Sequence, residues 1–324
     1  MSWKDYGELI DLTRNLSKGI RDAVRVHMGS ERAKGIKGEG ASGDITFGID
    51  EIAEFALEKK LEGFNNIAYY TEDRGLIIRG EPEHLFVIDP IDGTRPAACG
   101  LEACCVTIAV APFDCDNLEK MVIGDIFFGL VQEIKNDVEF IALKGKGAKI
   151  SYEGCEFQPL LSKNDDISRL FWTTGFRGRP AEPLVTVLGK LIDLSSVDGA
   201  CFDLGSASFG ITRVITGQMD SYVDVGQRMA DEIPVVRRKF QEIGHGSILN
   251  NYSYDVAAAS LVASECGASV SDAYGKSLDN YPLIPSEGRG QVSTVVSSNR
   301  VLHEKILREI DDGMKKLKER LINL

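Results

Sequence analysis

The 324 residues suffice for one large domain or two of ordinary size, and a composition of 43% apolar and 27% charged residues is ordinary for a globular protein. A formal charge of −12 argues against a nucleic-acid or acidic-membrane partner held by bulk attraction, although a bound metal ion can reverse the local field for an anionic substrate. No apolar run approaches the ~20 residues of a membrane-spanning helix, and the opening "MSWKDYGELIDLTRNLSKGI" has no apolar signal core, so a cytoplasmic protein is expected.

Leu9, Leu12, Leu16, Ile20 and Val24 recur at helical spacing and predict a helix over 5–28. The Gly- and charge-rich stretch 29–44 reads as a loop, and a second helix is predicted over 49–62. Short β-type runs follow at 66–70, 84–88, 103–111, 121–130 and 138–142. Beyond residue 160 strand-like and helical runs alternate: "RLFWTTG", a helix at 181–194, "GACFDLG", a helix at 206–216, "DSYVDV", an Ala-rich helix after Asp255, "QVSTVVSSN" and a long helix at 299–324. The pattern predicts an α/β protein with one continuous core: an α+β half, 1–158, and an α/β half, 159–324. The seven cysteines show no CxxC spacing and suggest neither a disulfide framework nor a zinc site; most are expected to be small core residues.

Carboxylates at strand ends carry the chemistry. In "HLFVIDPIDGTRPAACG", Asp89 and Asp92 flank Pro90, which is expected to stop the strand. Gly93 and Thr94 then offer backbone N–H groups at a turn, a setting that suits phosphate. Two hard carboxylates beside an anion cradle suit Mg²⁺; the bland reading is an Asx turn. Glu72 and Asp73 also follow an apolar run. Asp44, Thr46 and Asp50 stand at a helix start, with Asp44 or Thr46 the expected cap, and Asp255 reads as a cap as well.

"TED", "DPIDGT" and "YDVAAA", in that order, resemble the motifs of the inositol monophosphatase family, the Mg²⁺-dependent sugar-phosphate phosphatases that include archaeal fructose-1,6-bisphosphatases. "DxTxxxD" from Asp44, "LGSA" at 204–207 and "GQMDSYVDVG" at 217–226 extend the resemblance over about residues 5–310. It implies a layered αβαβα sandwich and a homodimer. It implies two or three Mg²⁺ ions, with Mn²⁺ as a substitute: Glu72, Asp89 and the Ile91 carbonyl would hold one ion, and Asp89, Asp92 and Asp255 a second. A third ion would sit near Glu72, under a loop carrying Lys37. Glu72 and Thr94 would orient water, with Asp50 fixing the Thr94 hydroxyl, and the Gly93 and Thr94 amides would hold phosphate. Asp92, Gly205, Ser206, Ala207 and Asp224 would face substrate. The implied activity is hydrolysis of a small sugar or polyol phosphate of the inositol 1-phosphate or fructose 1,6-bisphosphate type. A 3'-phosphonucleotide phosphatase and a non-catalytic sugar-phosphate binder are the alternatives.

Two departures stand out. Arg95-Pro96 replaces the family's usual residues after DGT. A stretch of 30 residues, 225–254, replaces the few usual between Asp224 and Asp255, and its insertion, 226–251, carries Arg228, Arg237, Arg238 and Lys239. Together with Arg177 and Arg179 of "TGFRGRP", Arg237 and Arg238 are candidates for binding a second phosphate.

Overall fold

A computed structural model describes residues 3–40, 45–285 and 290–322. The first half forms α1 (Gly7–Arg25), β1 (Ile36–Glu39), β2 (Ile45–Phe47), α2 (Gly48–Leu61), β3 (Ile67–Thr71), β4 (Gly75–Arg79), β5 (His84–Asp92), α3 (Thr94–Ala98), β6 (Cys105–Pro112), β7 (Phe128–Glu133), β8 (Val138–Leu143), β9 (Ala148–Tyr152) and β10 (Cys155–Phe157). The second half forms β11 (Phe171–Thr173), α4 (Ala181–Leu194), β12 (Ala200–Phe202), α5 (Ala207–Ile215), β13 (Ser221–Val223), α6 (Gly226–Glu232), α7 (Pro234–Ile243), α8 (Ser253–Glu265), β14 (Ser269–Asp272), β15 (Thr294–Ser297) and α9 (Arg300–Ile322).

An eight-stranded sheet, ordered β10-β9-β8-β7-β6-β5-β3-β4, and a five-stranded sheet, ordered β12-β11-β13-β15-β14, share the helices between them. The large sheet is antiparallel apart from β3 beside β5, whereas β11 lies parallel to both β12 and β13. Helices α1 and α2 cover the outer face of the large sheet. Helices α5 and α8 fill the space between the sheets, and α4 and α9 cover the far face of the small one. The result is the expected αβαβα sandwich.

Hydrophobic periodicity explains the layers. On α9, Leu302, Ile306, Ile310, Met314 and Leu317 recur every three or four residues and are all buried. Burying each such side chain contributes about 1.5–3 kcal/mol. Helix α8 is apolar nearly all round because both sheets flank it, so Val256, Ala257, Ala258, Ala259 and Val262 are buried together. The middle core joins Leu85 and Val131 of the first half to Ile211 and Val296 of the second.

Several sequence expectations need correction. Pro90 does not stop its strand: β5 runs through to Asp92. The pairing with β6 shifts register between Asp89 and Asp92, so Pro90 falls in a bulge where no N–H donor is required. The run 121–130 is not one strand, because single-turn helices occupy Leu118–Lys120 and Ile123–Asp125, and β7 starts at Phe128. Strands β1, β2, β4, β9, β10 and β14 were not anticipated: β1 lies in the stretch expected to be a loop, β2 has three residues and β9 five, and β4, β10 and β14 are edge strands. Of the cysteines, Cys104 and Cys105 are buried, whereas Cys99, Cys115 and Cys155 are exposed. Asp44 and residues 41–43 of the expected lysine-bearing loop lie outside the described residues. Lys37 sits on β1 with its ammonium 3.2 Å from Glu51. Among the described residues, no helix is long and apolar enough to cross a membrane.

Candidate active site

The acidic end of the site is assembled from a strand terminus and two helix starts. One carboxylate oxygen each of Asp89, Asp92 and Asp255 lies within 4.8 Å of the others. The β5 bulge allows this: two residues between the aspartates, Pro90 and Ile91, are set against one on β6, Val106, so both aspartates turn towards the same cavity. Asp89 accepts the Ile91 N–H at 2.9 Å. Asp92 is held by the start of α5, accepting the Ser206 hydroxyl at 2.9 Å, the Ser208 N–H at 2.6 Å and the Ala207 N–H at 3.3 Å. Asp255 is the third residue of α8 and accepts the Tyr252 N–H at 2.6 Å.

Asp50 repeats this device on α2. One of its oxygens accepts the Phe47 N–H at 2.8 Å, and the other accepts the Thr94 hydroxyl at 2.9 Å. Asp50 lies in the first turn of α2, and Asp255, read from the sequence as a cap, is not one. Each reaches back from the third helical position, and the residues at the caps are Phe47 and Tyr252. Thr46 is not a cap either; its hydroxyl donates to Asp73 at 2.8 Å.

Gly93 and Thr94 follow at the start of α3. Gly93 has φ +98°, and a Cβ there would stand 2.5 Å from the Ala103 carbonyl, so only glycine makes this turn. The Ile91 carbonyl lies 3.3 Å from the Thr94 hydroxyl. Glu72, one residue past β3, lines the same cavity but is not one of the trio.

Burial, and then repulsion from Asp92, Asp255 and Glu72, pushes Asp89 well above the usual carboxylate range. Burial raises Asp92 to about 6 against the hydrogen bonds that favour its charged form. Hard oxygen ligands converging with their charges mutually opposed fit a divalent cation such as Mg²⁺, whose charge removes the repulsion.

The trio opens on a cavity of about 360 Å³ whose other wall belongs to the second half and the insertion. Here the sequence expectations divide. Arg177 and Arg179 line the cavity; Arg237 and Arg238 do not. Arg237 stands 3.5 Å from Asp231, and Arg238 is exposed on α7, because the helix buries Val236 and Phe240 and turns its basic face outward. Arg228 packs on the Tyr274 ring and pairs with Glu232 and Asp311, each at 2.7 Å.

Asp224 does not face the cavity as expected. It is fully buried, enclosed by the Gly226 N–H at 2.7 Å, the Asn251 amide at 2.9 Å and the guanidinium of Arg179. Gly205, Ser206 and Ala207 do line the cavity, where Ser206 and Ala207 also bond to Asp92. Gly205, with φ +71°, lets the chain pass Pro96: a Cβ would meet the Pro96 ring at 2.9 Å. Arg95 lies 5.3 Å over the Phe47 ring at the rim.

Sequence reasoning missed Leu249, Asn250 and Asn251, which the insertion brings into the wall. The available signal was the Asn-Asn pair just before the "YSYD" helix start.

A family profile described as the inositol monophosphatase family matches residues 5–315. The chain is 22% identical over 318 residues to a bifunctional NADP phosphatase/NAD kinase of Methanococcus maripaludis, covering 93% of this chain and 49% of that protein. It thus spans about half the length of that relative, and 48% of a namesake from Methanocaldococcus jannaschii. It is 24% identical to a fructose-1,6-bisphosphatase/inositol-1-monophosphatase of Methanothermobacter thermautotrophicus, covering 91% of this chain and 94% of the other. Among solved structures, the fold matches the Thermotoga maritima IMPase with a TM-score of 0.67 at 18% identity, covering 96% and 99% of the two chains.

Proposed function

The chain belongs to the inositol monophosphatase family, and from that premise we propose that it is a divalent-cation-dependent phosphatase hydrolysing a small phosphate monoester of a sugar or polyol. One observation carries the reading: Asp89, Asp92 and Asp255 converge within 4.8 Å on a cavity that also exposes the Gly93–Thr94 turn. The relatives' names differ in the alcohol and share the phosphate ester, which supports a proposal pitched at the ester.

Asp89, Asp92 and Asp255, with Glu72 and the Ile91 carbonyl beside them, would hold Mg²⁺. When bound, such a cation supplies positive charge that neutralises the phosphate and acidifies water enough for attack at neutral pH. The chain's own residues do the rest. The Thr94 proton is directed to Asp50, so the Thr94 oxygen accepts a hydrogen bond from the attacking water and orients it. Glu72, which lines the cavity wall, would take the water's other proton. Amides of the Gly93–Thr94 turn hold the phosphate oxygens. Attack forms one P–O bond and breaks the ester P–O bond, and the leaving alkoxide takes a proton from solvent water as it departs. The α5 amides on Asp92 keep that carboxylate in place throughout.

The test is phosphate release from sugar, inositol and nucleotide monoesters. Release is expected with Mg²⁺, loss in excess chelator, and recovery when Mg²⁺ is restored. Full release in chelator sinks the metal-dependent reading. Binding of the esters without release points to the non-catalytic binder instead.

A further inference from the structure

Asp224 is sequestered, so some other group must accept hydrogen bonds from the alcohol part of the substrate. We infer that Asn251, the last residue of the insertion, is that group: its side-chain carbonyl oxygen is a specificity-determining acceptor for a substrate hydroxyl. The inference rests on the phosphatase reading and deepens it, by naming which side chain reads the polyol.

The orientation of the Asn251 amide is fixed by its neighbours. Its Nδ2 donates to the Asp224 carboxylate at 2.9 Å and to the Tyr222 hydroxyl at 2.7 Å. A carboxylate only accepts, so the nitrogen must face Asp224 and the oxygen must face the other way. Asp224 is itself immobilised, fully buried between the Arg179 guanidinium and the Gly226 N–H at 2.7 Å. The Asn251 backbone is pinned too, its carbonyl accepting the Val292 N–H at 2.8 Å.

What remains is the Oδ1. No hydrogen bond to it exists among the described residues, yet it is not among their buried unpaired atoms, and the residue is half-buried in the cavity wall. It is therefore an oriented, unsatisfied acceptor on a residue of the cavity wall. Four residues on, Asp255 belongs to the carboxylate trio, so the hydroxyl reader and the phosphate end are joined by one short stretch of backbone. An acceptor selects hydroxyl donors and disfavours an anionic group at that point, so the ligand class is a polyol ester with a free hydroxyl there. Arg179 is a positioning residue in this scheme: its Nη1 holds the Arg177 carbonyl at 2.7 Å while its Nη2 holds Asp224.

The experiment uses whichever of inositol 1-phosphate and fructose 1,6-bisphosphate the wild type hydrolyses faster, with its monodeoxy analogues, at saturating Mg²⁺. For the wild type, one analogue is expected to be about five- to tenfold poorer in kcat/KM than the parent, the scale of one neutral hydrogen bond. In Asn251→Ala that penalty should shrink to about twofold or less, the change falling on KM. An unchanged penalty in a folded variant overturns the inference. Should Asn251→Ala not fold, Asn251→Ser takes its place. The wild-type series stands by itself: if no analogue differs from the parent by more than about twofold, no hydroxyl is being read and the inference is wrong. If the wild type releases phosphate from neither parent but does so from another sugar or polyol ester, that ester and its monodeoxy analogues take their place; release from none fails the proposed function and takes this inference with it. Release with a flat series removes the inference alone.

Discussion

At one end of the cavity Asp89, Asp92 and Asp255 gather like charges within 4.8 Å; at the other, Arg179 meets Asp224 and opposite charges satisfy each other. Both ends are buried, and burial gives them contrary consequences. At the acidic end it raises Asp89 and Asp92 out of the carboxylate range, Asp89 further through repulsion from its acidic neighbours. At the far wall the Arg179 guanidinium is raised by Asp224 despite the cost of burying it. One end is incomplete without an added cation. The other is complete already, and it serves to aim Asn251.

The comparison breaks most visibly if one partner of the buried pair is removed. Arg179→Met leaves Asp224 buried and uncompensated, and unfolding in urea should show a loss of about 3–5 kcal/mol. A loss below about 1 kcal/mol would mean the pair is not the staple of the wall. The acidic end should behave oppositely. Asp89→Asn should lower phosphate release at least ~10²-fold, comparable to losing one strong transition-state contact, while the urea midpoint of the metal-free protein stays level or rises as repulsion is relieved. A marked fall in that midpoint would show that Asp89 is a structural residue.

A subtler change tests the link between the acidic end and the turn beside it. Thr94→Val keeps the shape and removes the hydroxyl bonded to Asp50. It should reduce kcat by about tenfold with KM near wild type, the pattern of a lost transition-state interaction. An equal loss in binding would make Thr94 a plain helix-start residue.

The smallest effect is in pH. The raised pKa of Asp92 means the folded state holds a proton that the unfolded chain has released between about 4 and 6, so this group makes stability fall as pH rises through that window. Glu54, raised by burial to about 7, acts in the same direction, and His303, lowered to about 4, acts against both. A cation bound at the trio acts on Asp92 and spares the other two. The rise in melting temperature on adding Mg²⁺ should therefore grow by a few degrees from about pH 4 to about pH 7, the scale of roughly 1 kcal/mol. A shift independent of pH would place the cation elsewhere.

The two ends also differ in how legible they were. The acidic end could be read because its residues sit at local landmarks: Asp89 closes an apolar run, Gly93 follows Asp92, and Asp255 opens an apolar helix. The α4 helix was anticipated at its observed bounds, since its apolar spacing is self-contained. The far wall was misread because its partners are distant in sequence. Arg179 and Asp224 are separated by 45 positions, and an arginine on a glycine-rich loop looks like a solvated one. The basic run at 237–239 drew attention through charge alone, whereas helical periodicity turns it away from the cavity. Charge density in a sequence says nothing about direction; the apolar positions between the charges do.

The bulge at Asp89–Asp92 has a consequence for length. In a regular strand, side chains three positions apart point to opposite faces. Here the extra residue restores agreement, and Ile91 turns instead into the core beneath α1 and α2. Removing a single residue between the two aspartates would leave them two positions apart, where a regular strand already turns both to one face. The spacing of three and the bulge therefore go together: the same spacing in a strand without the bulge would drive one of the two carboxylates into that core.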